Sequence, residues 1–185
     1  MRQRRAAPSE SAAGLAGPPA RSTANTPPNP RAKPLPSPKV LAVRMLARRE
    51  YSRAELTQRL AHKGIPRDDI ERALDELAAG GYLSDARYAQ AVVAQRSGRY
   101  GKRAIAHVLR EKGIAAPDAL TAMAPLADTD EIADASALWQ QRFGAAPANQ
   151  REKARQVRFL LSRGYGLSVA LRVLRAAGAP ADEGN

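Results

Sequence analysis

The chain has 185 residues, no cysteine, 44% hydrophobic but only 4% aromatic residues, and a formal net charge of +12 at pH 7. Lack of cysteine excludes disulfides, thiolate chemistry and sulfur-ligated zinc. No apolar run approaches the roughly 20 residues that cross a bilayer, and the start lacks the apolar core of a secretory signal, so a cytoplasmic location is expected. Helix formers dominate the composition (Ala, Leu, Arg, Glu, Gln), which predicts an all-α protein.

Residues 1–38 hold nine of the fourteen prolines and carry six basic residues against one acidic. Such a segment buries too little apolar surface to offset its ordering entropy, and a disordered basic arm is expected. Its first five residues are basic and acid-poor, as in transit peptides, but the prolines forbid a long amphipathic helix. The helical period begins at Lys39. Leu41, Met45 and Leu46 give the apolar face of a first helix ending near Arg49. Ser52-Arg53-Ala54-Glu55 reads as a capping box in which Ser52 caps the second helix and Glu55 reaches back to it. Leu56 and Leu60 form that helix's apolar face, and Gly64 stops it. A third helix follows Pro66, with Asp68 and Asp69 at its positive end and a core stripe of Ile70, Ala73, Leu74 and Leu77. Gly80-Gly81 ends it.

The plan then recurs. Ser84 or Asp85 caps a helix carrying Tyr88 and Val92, Gly101 opens one carrying Ile105 and Leu109 that Gly113 stops, and a short helix runs from about Pro117 to Met123. A third unit starts at Thr129-Asp130-Glu131 with Ile132, Ala135, Leu138 and Trp139. A loop over 144–149 and a cap at Asn149 lead to Val157, Leu160, Leu161 and the Gly164 stop, and a last helix carries Val169, Val173 and Leu174. The recurrence is visible residue by residue at an offset of 49. Tyr51, Arg53, Lys63, Gly64 and Ile65 return as Tyr100, Lys102, Lys112, Gly113 and Ile114, and a fainter copy appears 51 residues later at Lys153, Leu160, Arg163, Gly164 and Tyr165. Repetition of this kind predicts three tandem three-helix repeats forming an elongated, curved array, at residues 39–83, 84–126 and 127–180. A unit of that size supports itself poorly, so neighbours must share faces.

Charge is unevenly spread. Residues 39–113 hold sixteen basic and nine acidic residues, whereas 114–185 hold eight of each. A one-sided positive field favours a polyanion or an acidic protein surface. Arg44, Arg48, Arg49 and Arg53 lie near one helix–turn edge of the first repeat, and Arg96, Arg99, Lys102 and Arg103 near the corresponding edge of the second. Spacings of three and four put Arg44 with Arg48, and Arg96 with Arg99, on shared faces. The plain reading is a solvated face; the functional one is a basic stripe able to hold carboxylates or phosphates bidentately. Tyr51 and Tyr100, which precede the second helices, read as packing residues with a wet hydroxyl. Tyr82 and Leu83 are expected to plug the junction between the first two repeats, with Ser84-Asp85 capping the next helix.

Nothing points to catalysis. His62 and His107 are not equivalent in the repeats and share no metal-ligand spacing with another histidine, and no phosphate-cradling glycine loop is present. The carboxylates cluster near helix starts, where the helix dipole accounts for them. A non-enzyme without metal or cofactor is expected.

The run Leu46-Ala-Arg-Arg-Glu-Tyr-Ser-Arg-Ala-Glu-Leu56, followed by Leu60-Ala-His-Lys-Gly64, Gly81-Tyr-Leu-Ser-Asp85, Arg87-Tyr-Ala89 and Leu109-Arg-Glu-Lys-Gly-Ile114, resembles the RecX family of bacterial recombination regulators. Arg158-Phe-Leu-Leu-Ser-Arg-Gly-Tyr165 is similar to that family's C-terminal signature. The resemblance spans about Lys39 to Ala177. Ala104 and Val108 depart from it, at places where the family often has Arg and an acidic residue. It implies a partner, the RecA protein and its filament on single-stranded DNA, and a regulator, expected as a monomer, that blocks filament extension and lowers ATP hydrolysis, strand exchange and co-protease activity. The residues expected to meet that partner are Arg44, Arg48, Arg49, Arg53, Lys63, Arg87, Arg96, Arg99, Lys102, Arg103, Lys112 and Arg163. The alternative is a direct DNA binder built from helix-turn-helix-like units.

Overall fold

The computed structural model describes residues 36–178, so the arm expected over 1–38 lies outside the described residues except for its last three. Among the described residues there are nine α-helices and no strand: α1 (Pro38–Leu46), α2 (Arg53–Ala61), α3 (Arg67–Ala79), α4 (Asp85–Arg96), α5 (Lys102–Glu111), α6 (Ala116–Met123), α7 (Glu131–Arg142), α8 (Gln150–Ser162) and α9 (Leu167–Ala176), with one 3-10 turn at Ala124–Leu126. The fold is all-α and consists of three three-helix repeats. Helices pack within their own triplets, α1 and α2 on α3, α4 and α5 on α6, α7 and α8 on α9. Each triplet has a core of its own, centred on Leu56, Leu60 and Leu74 in the first, Ile105 and Leu109 in the second, and Trp139, Leu160 and Leu174 in the third.

Local chemistry sets the helix starts. Ser52 Oγ accepts the Glu55 N–H at 3.1 Å, Ser84 Oγ that of Arg87 at 3.2 Å, and Asp130 Oδ1 those of Ile132 and Ala133 at 2.9 and 3.2 Å. Around the start of α8 the Glu152 N–H donates to Asn149 Oδ1 at 2.9 Å, and the Glu152 carboxylate accepts from the N–H of Ala148, one residue before the cap, at 2.9 Å. At α2 only half of the expected capping box forms. Glu55 turns away from Ser52 because two cations, Lys112 and Arg49, offer stronger partners. The helix α1 ends at Leu46, short of Arg49, and residues 47–49 form a turn.

The echo in the sequence is a middle helix plus its stop. Leu56 and Ile105, and Leu60 and Leu109, are all fully buried, and the stops Gly64, Gly113 and Gly164 all have positive φ. These middle helices run end to end. The Gly101 N–H, at the start of α5, donates to the carbonyl of Arg163, at the end of α8, at 2.9 Å. A Cβ on Gly101 would lie 2.5 Å from the Gly164 carbonyl oxygen, and one on Gly164 would lie 2.3 Å from Ala104 Cβ. The end of α5 approaches the start of α2 in the same sense, and a Cβ on Gly113 would lie 2.9 Å from Ala54 Cβ. There a side-chain pair takes the place of the backbone bond: Lys112 Nζ meets Glu55 Oε1 at 2.9 Å. The cation sits at a helix C-terminus and the anion at an N-terminus, so each also complements a helix dipole.

A second tie repeats at both joints. The Arg53 N–H, first in α2, donates to Asp85 Oδ1 at 2.7 Å, and the Lys102 N–H, first in α5, donates to Glu131 Oε1 at 3.2 Å. Asp85 and Glu131 are themselves the first residues of α4 and α7. One carboxylate therefore serves the positive ends of two helices and satisfies an amide that would otherwise lack a partner.

The glycines provide the check. Gly64 has φ +77° but open space around its Cβ position, so Gly64→Ala costs only the left-handed strain of about 1–2 kcal/mol. Gly164→Ala adds a collision with Ala104 and is expected to destabilise by about 3 kcal/mol or more. Urea unfolding of the two variants measures the difference; equal losses would contradict the close joint.

Candidate partner-binding surface

The basic residues singled out from the sequence fall into three sets. Arg49, Arg53, Arg87, Lys102 and Lys112 have structural work within the chain. Arg53 pairs with Asp75 at 2.6 Å, and Arg87 pairs with Glu50 at 3.0 Å while donating to the Tyr82 carbonyl at 3.0 Å. Lys102 Nζ donates to the carbonyls of Ala127 and Thr129 at 3.1 and 3.4 Å, across the second joint. The Arg49 guanidinium lies 3.6 Å from the centre of the Tyr51 ring and 3.3 Å from Glu55. A second set, Arg44, Arg48, Lys63, Arg99 and Arg103, is exposed and forms no ion pair or ring contact among the described residues. The third set is Arg96 and Arg163, which come from different repeats and meet over one ring, Tyr100, at 4.9 and 5.3 Å.

At the first junction the expected pair divides. Leu83 is buried in the first core, whereas Tyr82 is 65% exposed and plugs nothing. The turn after Gly81 sends Leu83 inward and leaves the tyrosine in solvent. Asp85 lies at the joint, freed for it because Ser84 does the capping. Tyr51 is buried and Tyr100 half-buried, each under arginine, so their ring faces are occupied. The exposed His62 bonds the Gln58 carbonyl, and His107 lies 3.4 Å from Glu111. No group of three or more His, Cys, Asp or Glu among the described residues could hold a metal. No helix among them is long and apolar enough to cross a membrane.

Electrostatics concentrate at Glu55. Burial pushes its carboxyl up, but hydrogen bonds and charge from Lys112 and Arg49 outweigh this and hold it below its ordinary value. The bond to Glu55 raises Lys112. In the third repeat the Tyr165 hydroxyl, buried without a partner, is pushed up to about 12 by desolvation and by the charges of Asp134 and Glu131.

The charge count missed the third repeat. The balance over 114–185 rests on Asp118, Asp182 and Glu183, which lie outside that repeat. Residues 127–180 hold eight basic and five acidic residues, and these are segregated: Asp128, Asp130, Glu131 and Asp134 gather at the start of α7, while Arg142, Arg155 and Arg158 surround Phe143 and Phe159 in a hollow of about 510 Å³. None of Arg142, Arg151, Arg155, Arg158 and Arg163 forms an ion pair among the described residues. A signal was present, since Arg151, Arg155 and Arg158 follow the i, i+4, i+7 spacing of one helix face.

Family comparison settles the lineage of these repeats. Residues 39–77, 84–123 and 128–174 match, in order, the models of the first, second and third three-helix domains of RecX. The chain belongs to the RecX family. It is 46% identical over 154 residues to the regulatory protein RecX of Leptothrix cholodnii, covering 83% of this chain and 97% of that one. It is 40% identical over 144 residues to that of Chromobacterium violaceum, covering 78% and 92%. The crystal structure of RecX from Lactobacillus salivarius shares the fold, with a TM-score of 0.60 at 18% identity over 76% of this chain and 94% of that one.

Because Glu55 is held below its ordinary 4.5, its contribution is present above that pH and fades as pH falls through the depressed value. Glu55→Gln is expected to cost about 1 kcal/mol at pH 7 and progressively less below pH 4.5. Urea unfolding at pH 7 and pH 3 checks it; a loss that does not change with pH would contradict the ionic joint.

Proposed function

We propose that this chain is a monomeric cytoplasmic regulator that binds the RecA recombinase and its filament on single-stranded DNA, and that it restrains filament extension, ATP hydrolysis, strand exchange and co-protease activity without chemistry of its own. Membership in the RecX family supports the partner. The observation that carries the reading is the division of labour among the cations. Arg87, Lys102 and Lys112 tie neighbouring repeats together, and a second set forms no ion pair among the described residues on the surface of the array so formed. An array of fixed spacing suits a partner that is itself periodic, and a binder that touches several protomers shifts their equilibrium only through unequal affinity for the filament states. In this reading Arg44, Arg48, Lys63, Arg99 and Arg103 make the contact, while Arg87, Lys102 and Lys112 set the spacing.

The test is RecA ATPase activity on single-stranded DNA, titrated with this protein. The wild-type chain lowers the rate. The variant Arg44→Glu/Arg48→Glu/Arg99→Glu/Arg103→Glu keeps its thermal midpoint, because none of these side chains has an ion-pair or ring partner among the described residues, and needs at least about tenfold more protein for the same inhibition. Tight DNA binding by the wild type with no effect on RecA would contradict the proposal.

A further inference from the structure

The arginines of the third repeat do not stand alone. Arg142 and Arg155 each lie 5.6 Å from the centre of the Phe143 ring, which meets Phe159 edge-on at 5.3 Å. Arg163 lies 5.4 Å from the Phe159 ring and 5.3 Å from that of Tyr100, across the joint, where Arg96 lies 4.9 Å from the same tyrosine. A connected series of guanidinium–ring contacts, with one ring–ring contact at Phe143–Phe159, thus runs from α7 and α8 to the end of α4. Three hollows follow this ladder: one of about 450 Å³ lined by Arg151, Arg155 and Arg158 with Asn149 and Glu152, whose carboxylate is bound to the Ala148 N–H, the one of about 510 Å³ over Phe143, and one of about 270 Å³ between Arg99, Tyr100 and Arg163. No carboxylate neutralises these arginines among the described residues, in contrast to Arg49, Arg53, Arg67, Arg72 and Arg87, which are all paired.

We propose that this ladder is a track for single-stranded nucleic acid, lying across the second and third repeats and working without any recombinase present. Its chemistry selects that occupant. Guanidinium groups hold phosphates bidentately and offer flat faces on which unpaired bases stack. A row of cations interleaved with aromatic rings is the general form of a sequence-tolerant single-strand site. A carboxylate-bearing peptide would use the charges but not the repeated flat surfaces, and a duplex hides its bases. The rings also hold the guanidiniums in place before binding, which lowers the entropy cost of ordering them. The α8 part of the track is about 20 Å long at 1.5 Å per residue, enough for several phosphates, and the joint carries it onward at Tyr100.

The proposal is independent of the RecA reading, and its test omits RecA. Fluorescence anisotropy of labelled dT and mixed-sequence oligonucleotides is measured with the full chain at several salt concentrations, together with far-UV circular dichroism of each variant. The wild type binds both oligonucleotides with similar affinity. Arg155→Ala/Arg158→Ala weakens both about tenfold and lowers the salt slope by about 1.4, two phosphates at about 0.7 each. Arg163→Ala, at the joint, weakens binding as well, while Arg110→Ala/Arg175→Ala, exposed arginines outside the ladder, does not. Absence of binding by the wild type, or an unchanged affinity and slope in a folded Arg155→Ala/Arg158→Ala variant, overturns the proposal. So does a variant that keeps its oligonucleotide affinity but loses binding to poly-glutamate, which would make the surface a protein site.

Discussion

The structure depends on middle helices that meet end to end. At the second joint the contact is backbone on backbone: the Gly101 N–H binds the Arg163 carbonyl at 2.9 Å, and neither Gly101 nor Gly164 has room for a Cβ. At the first joint Gly113 closes on Ala54, and the Glu55–Lys112 pair takes the place of the backbone bond. Both joints add a carboxylate shared between two helix N-termini. Helix ends are where backbone groups lack partners, so joining them turns a local deficit into the force that orders the repeats. Three small cores, none shared between triplets, gain their relative placement from these few polar contacts.

That division gives the charges their meaning. A net count treats Lys112 and Arg103 alike, yet Lys112 holds a joint and Arg103 faces solvent. The first two repeats hold the larger share of the cations but spend many of them on internal carboxylates. The third holds eight cations against five acids over 127–180; four of those acids sit at the start of α7, and Arg142, Arg155 and Arg158 gather on Phe143 and Phe159. Available positive charge is thus set by pairing and position, and the third repeat offers a face whose Arg142, Arg155 and Arg158 form no ion pair among the described residues.

Helix identity was readable in the sequence because its causes are local. Ser52, Ser84, Asp130 and Asn149 announce helix starts, Gly64, Gly113 and Gly164 announce ends, and a period near four places Leu56 with Leu60. The family resemblance rested on the same local signals, strung together. The joints were not readable. Gly101 looked like an ordinary helix opener, and only its approach to Gly164, 63 residues away in the chain, explains why no other residue fits there. The capping-box spacing is local and points Glu55 to Ser52, whereas its partners are Arg49 and, from the next repeat, Lys112. The sequence pairs Tyr82 with Leu83 as a plug of the junction, but the turn that buries Leu83 leaves its neighbour outside. The arginine–aromatic ladder was hidden for the same reason, since Tyr100 and Arg163 meet only once the repeats are stacked.

Amide hydrogen exchange at Gly101, Lys102 and Arg53 tests the end-to-end joints most directly. First-turn amides of a helix normally exchange quickly because nothing accepts them. If the joints hold, these three are protected to a degree approaching the core amide of Leu109, while Leu167, at the uncapped start of α9, exchanges fast. Exchange at Gly101, Lys102 and Arg53 as rapid as at Leu167 would show that the middle helices do not meet, and the ordered array would fall with them.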